Sequence, residues 1–87
     1  GVDEIATAED FVAFPNPMEN YLTIRRNGIF SGFAKFRVLS LQGAEVLTGT
    51  VVSREYMIDT GALAAGSYIL ELTGPGGLPA YRHVVKD

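Results

Sequence analysis

The only histidine in the chain, His83, is the first residue to weigh for chemistry, because imidazole is the side chain whose ordinary pKa lies closest to neutral pH. A lone histidine cannot build a His-rich metal site. Nor do the serines Ser31, Ser40, Ser53 and Ser67 stand in a G-x-S-x-G elbow that would present a nucleophile to it. His83 therefore reads as an exposed strand residue. The carboxylates are equally unpromising. Asp3, Glu4, Glu9 and Asp10 cluster early in the chain, but no D-x-D-x-D-G loop follows, so an EF-hand calcium site is excluded and they read as solvating charges. A carboxylate pair for glycoside hydrolysis needs a cleft that a thin two-layer domain rarely offers. Asp59, which follows Ile58, reads as a turn or cap residue. Gly74-Pro75-Gly76-Gly77 has the glycine content of a phosphate loop, but it has neither the G-K-[ST] ending nor a following helix, so a hairpin turn is expected. With no cysteine, disulfides, thiolate catalysis and Cys-ligated metals are all excluded. No cofactor, metal or enzymatic activity is expected.

Aromatic residues could offer a different chemistry, the stacking of sugars. Phe11, Phe14, Tyr21, Phe30, Phe33, Phe36, Tyr56, Tyr68 and Tyr81 are spread along the chain. Most fall at alternating strand positions, where core packing is the expected role. Tyr21, Tyr56 and Tyr81 are the candidates for exposure. A net charge of -3 offers no clustered basic surface for nucleic acid. The basic pair Arg25-Arg26 reads as a solvated strand end.

The elements that must position these residues are short strands. The chain has 87 residues, 47% of them hydrophobic, enough for one small globular domain with a thin core. No apolar run approaches the roughly 18–20 residues that span a bilayer. Residues 1–10 are small and acidic, without the apolar stretch of a signal peptide, and read as a linker. Strands are expected over Phe11–Phe14, Asn20–Arg25, Lys35–Leu41, Glu45–Val52, Glu55–Asp59, Ser67–Thr73 and Pro79–Lys86, each with period-two alternation or a bounding turn signal. Pro15-Asn16-Pro17 ends the first strand, because neither proline can donate to a ladder. Asn27-Gly28 and Ser31-Gly32 mark a loop, and Gln42-Gly43 a tight turn in which Gly43 supplies positive φ. Thr60–Gly66 is too short for a stable helix and reads as a turn. About seven alternating strands predict an all-β fold, an immunoglobulin-like antiparallel β-sandwich over residues 11–87.

Three segments together carry a resemblance. Phe14-Pro15-Asn16-Pro17 precedes Tyr21-Leu22-Thr23-Ile24. A second segment runs from Phe36 through Ser40 and Gly43 to Val46. A third runs from Ile58-Asp59-Thr60-Gly61 through Leu63, Gly66 and Tyr68, and on to Arg82-His83-Val84-Val85-Lys86. In order and spacing the chain resembles the type A C-terminal sorting domain of the type IX secretion system of Bacteroidetes. Ser40 stands where that family often has Asp, so the turn after it is expected to be less well capped.

The resemblance implies an export address on a larger cargo protein, passing through the periplasm to the outer-membrane surface or the medium. The implied partners are translocon and sortase proteins, with cargo joined to anionic lipopolysaccharide. A minority of the family keep the domain as an anchor or lipopolysaccharide-binding module. A homodimer is also admitted. Translocon recognition is expected at Tyr81, Arg82, His83, Val84, Val85 and Lys86, through strand addition to an open edge. Lys86 would supply charge, and Val84 and Val85 one buried and one presented side chain. Pro15, Asn16 and Pro17 would stiffen the opposite end, while Leu63 and Tyr68 complete the motif and Gly43 and Gly66 permit the turns. The alternative is a carbohydrate-binding or adhesive sandwich of fibronectin type III kind, acting through Tyr21, Tyr56 and Tyr81.

Overall fold

The computed structural model describes residues 8–27 and 32–87. The turn residues Gly28 and Ser31, Phe30 among the aromatics, and Asp3 and Glu4 of the lead-in lie outside the described residues. Seven strands follow in order: β1 (Phe11–Phe14), β2 (Tyr21–Arg26), β3 (Ala34–Ser40), β4 (Glu45–Val51), β5 (Glu55–Asp59), β6 (Gly66–Thr73) and β7 (Pro79–Lys86). They form a three-stranded sheet, β1-β2-β5, and a four-stranded sheet, β4-β3-β6-β7. All ladders between named strands are antiparallel. The expected all-β immunoglobulin-like sandwich therefore forms. In the immunoglobulin constant arrangement the fourth strand lies beside the fifth; here β4 stays with β3.

Alternation decides which side chains meet between the sheets. Leu22 and Ile24 of β2 and Ile58 of β5 face Phe36 and Val38 of β3 and Leu70 and Leu72 of β6, all buried. Gly49 of β4 pairs with Phe36. A Cβ there would lie 2.6 Å from Cε1 of the Phe36 ring, so the missing side chain makes room for the aromatic. Gly43 takes φ +89° in the β3–β4 turn. The Gly43 N–H donates to the Ser40 carbonyl at 2.9 Å, and Ser40 N–H to the Ala44 carbonyl at 2.8 Å. Ser40 Oγ accepts the Ala44 N–H at 3.1 Å. The Ser40 hydroxyl thus caps the turn.

Three further expectations are corrected. Arg26 is not a solvated strand end. It continues the inward face of Leu22 and Ile24 and is 1% exposed. Glu9 is not a solvating charge but an ion-pair partner of Arg26. Residues 8–10 also join the fold instead of forming a linker: Ala8 bridges Leu78, and the Asn27 N–H donates to the Asp10 carbonyl at 2.8 Å.

Candidate functional site

The strand register gathers the motif residues at one pole of the sandwich. β2 begins there at Tyr21 opposite the end of β5, β3 ends at Ser40 opposite Tyr68, and β7 ends at Lys86 opposite Gly66. The β1–β2, β3–β4 and β5–β6 connections therefore share this end with the C-terminus. Asp59 acts as the expected turn residue, its Oδ1 accepting the Gly61 N–H at 2.9 Å. Thr60 is buried and ties the β5–β6 loop to the β1–β2 connection, its N–H donating to the Asn20 carbonyl at 2.8 Å and its Oγ1 to the Glu19 carbonyl at 3.0 Å. The loop is braced again where Tyr68 Oη donates to the Ala64 carbonyl at 2.7 Å. Leu63 packs against the core, and Gly66 takes φ +147° as the chain enters β6.

Pro15-Asn16-Pro17 does not stiffen an end remote from the closing strand; it is fastened to that strand. Both X–Pro bonds in it are cis. Asn16 Nδ2 donates to the His83 carbonyl at 3.2 Å, and its Oδ1 accepts the Val85 N–H at 2.9 Å. Met18, fully buried, donates its N–H to the Val85 carbonyl at 2.7 Å and accepts the Asp87 N–H at 2.9 Å. These bonds occupy the side of β7 that faces away from β6. An edge open to strand addition is therefore absent over His83–Asp87. The physical reason is that an uncovered row of backbone groups invites uncontrolled pairing, and this connection covers it.

The residues expected to be read by a partner divide by parity. Tyr81 and His83 are exposed on the outer face of the four-stranded sheet, with Val85 half-buried beside them. Val84 faces the core, and Lys86, expected to present its charge, is buried. Arg82 is half-buried and spans the two sheets. Its guanidinium lies 4.3 Å from the Phe11 ring centroid and donates to the Phe11 carbonyl at 2.9 Å and the Tyr81 carbonyl at 2.8 Å.

Beside Tyr81 runs a charged row that sequence reasoning missed. Arg37 donates from Nε and Nη2 to the two carboxylate oxygens of Glu71 at 2.7 and 3.0 Å, and lies 3.7 Å from Glu45. The guanidinium, with help from the Tyr81 phenol, holds the Glu71 carboxyl below the usual carboxylate range. Burial, and then the hydrogen bond to Glu71, push the Tyr81 phenol up. The signal was cross-strand register, which places Arg37, Glu71 and Tyr81 directly opposite one another.

The three tyrosines of the glycan reading do not share a surface. Tyr21 is exposed on the outer face of the three-stranded sheet and Tyr81 on that of the four-stranded sheet. Tyr56 faces inward, its ring 5.7 Å from that of Phe36. Beside Tyr21 lies a depression lined by Pro15, Pro17, Glu19, Asn20, Thr23 and Met57 and open to solvent. Among the described residues no group of three or more His, Cys, Asp and Glu side chains could hold a metal ion.

Fold and surface together define a small immunoglobulin-like β-sandwich module whose closing strand is locked against its own early proline-rich turn. The family described as the secretion system C-terminal sorting domain matches residues 12–86, and the chain belongs to that family. The resemblance to sorting domains of type IX secretion, drawn from the three segments, is met. Among solved structures, PorZ superposes with a TM-score of 0.72 at 18% identity. It is described as an essential bacterial surface component of the type IX secretion system of Porphyromonas gingivalis. The match covers 88% of this chain and 11% of that one, and at this identity the likeness is one of fold. No curated protein sequence matches the chain.

Proposed function

We propose that the folded domain is the address by which the outer-membrane translocon of type IX secretion accepts a cargo protein from the periplasm. The cargo is delivered to the outer-membrane surface or the medium. A sortase then removes the domain and joins the cargo to anionic lipopolysaccharide. The observation that carries this reading is the family match from residue 12 to residue 86, which reaches to the end of the locked closing strand. Recognition falls to Tyr81 and His83, flanked by Val85, on the outer face of β7. Arg82, Val84 and Lys86 hold that strand in place from the inner side. Pro15, Asn16, Pro17, Gly43, Leu63, Gly66 and Tyr68 shape the pole that supports it.

The test fuses the whole chain to a reporter that carries its own export signal to the periplasm. Expression in a type IX-competent bacterium should place the reporter at the surface or in the medium, and a translocon deletion should trap it in the periplasm. Equal export in both strains overturns the proposal. The double substitution Tyr81→Ser, His83→Ser should lower export while the purified domain still folds and unfolds cooperatively. Mass spectrometry of the exported reporter separates the two fates. Loss of the domain with added lipopolysaccharide mass supports sortase transfer, whereas an intact mass indicates a retained anchor.

A further inference from the structure

The segment just before β1 is built into the module in three independent ways. Ala8 forms a parallel bridge with Leu78, just before β7. The Asp10 carbonyl accepts the Asn27 N–H at 2.8 Å. Between them, Glu9 reaches inward and its Oε1 accepts the Nε–H of Arg26, with 18% of the Glu9 side chain and 1% of the Arg26 side chain exposed. The same guanidinium donates from Nη1 to the Gly32 carbonyl at 2.8 Å. Gly74, in the β6–β7 turn, forms the slot for Glu9: a Cβ there would stand 2.7 Å from Cδ of Glu9 and 3.0 Å from its Cγ. The carboxylate therefore enters past a glycine to meet a charge within the sandwich.

We infer that Ala8–Asp10 is a strap that sets where the chain can be processed. A cut before Ala8 releases the module folded, and a cut between Glu9 and Phe11 withdraws the buried carboxylate from Arg26 and unmakes it. The inference rests on the reading that the domain is removed by proteolysis. Its physical basis is the strong destabilisation that follows when one member of a buried ion pair is taken away, here the carboxylate facing a guanidinium whose side chain is 1% exposed. In a domain this small the penalty is comparable with the whole net stability. The position of the cut thus decides the fate of the released signal: it persists as a folded module or becomes an unfolded substrate for degradation.

The purified full chain can be challenged with an endopeptidase that cleaves after Glu and Asp, following the products by mass spectrometry. The bond after Asp10 should resist cutting in the parent. Glu9→Gln should raise the rate at that bond at least ten-fold, with outright unfolding the extreme of the same outcome. Gly74→Ala, which crowds Glu9 without altering its charge, should act in the same direction. The effect of Gly74→Ala should vanish on a Glu9→Ala background, because the group it crowds is gone. A folded fragment 11–87 that accumulates, or a Glu9→Gln chain cut no faster than the parent, overturns the inference. The readout needs no secretion machinery. A domain that cells never remove would sink the sortase reading and leave the strap measurement standing.

Discussion

Asn16 makes the clearest single claim on the closing strand. Its side chain bonds β7 twice, accepting the Val85 N–H at 2.9 Å and donating to the His83 carbonyl at 3.2 Å. Asn16→Ala removes both bonds. A hydrogen bond contributes about 0.5–1.5 kcal/mol net. Because Asn16 is exposed, water can reach the released backbone groups, and the lower half of that range applies. Two bonds then sum to about 1–2 kcal/mol. For a domain of this size each kcal/mol moves the midpoint by roughly 4–8 °C, so Tm should fall by roughly 4–16 °C. Asn16→Asp keeps the acceptor for Val85 and loses the donor to His83, and should fall about midway. Met18 still holds Val85 and Asp87 through its backbone, so the strand should stay docked in both variants. Circular dichroism melts supply Tm, and amide exchange at Val85 reports the clasp locally. A Tm within about 1 °C of the parent, together with unchanged exchange at Val85, would refute the reasoning.

Gly49→Ala should push the Phe36 ring, which a Cβ would approach to 2.6 Å. Phe36 is buried and cannot yield freely, so a loss of about 1–3 kcal/mol is expected in chemical denaturation. Glu71 and Tyr81 predict opposite limbs of a pH–stability curve. Glu71 has its folded pKa depressed, so its contribution is complete above the ordinary carboxylate range and is lost as pH falls through the lowered value. Glu71→Gln should flatten that acid limb. Tyr81 has its folded pKa raised, so its contribution is present below the ordinary phenol range and is lost as pH rises through the raised value. Tyr81→Phe should flatten the alkaline limb, and denaturant midpoints across pH would show either slope unchanged if the charged row is unimportant.

The strands were legible because alternation is local. Leu22 and Ile24, or Phe36 and Val38, announce a buried face within a few residues, whereas sheet membership is not local, since β2 pairs with β5 and β3 with β6. Arg26 obeys the same alternation as Leu22 and Ile24. Reading it as solvated gave side-chain type precedence over position, and the partner that permits its burial, Glu9, lies seventeen residues away. The clasp was illegible for a similar reason, since Asn16 and His83 are 67 residues apart and no local pattern links them. The glycan platform failed on parity, which register alone exposes: Tyr56 is opposite Ile24, and Ile24 faces the core. Lys86 shares the inner parity of Val84, so its burial was available from the same alternation that assigned Val84.

How a partner can read this module follows from the state of its edges. Strand addition requires a free row of backbone donors and acceptors. On β7 that row is met by Asn16 and Met18 from His83 to Asp87, while Arg82 covers the Tyr81 carbonyl and Ala8 bridges Leu78. A competing strand would first have to displace the β1–β2 connection, whose Met18 is fully buried, and so would have to open the core. Side chains on the outer face of β7 meet no such barrier. Tyr81 and His83 stand there only when Arg82, Val84 and Lys86 are seated on the inner side, so the same six residues presented as an unfolded tail would carry the sequence without the surface. A partner that binds this face therefore discriminates folded domains from unfolded ones by the same contacts with which it identifies them.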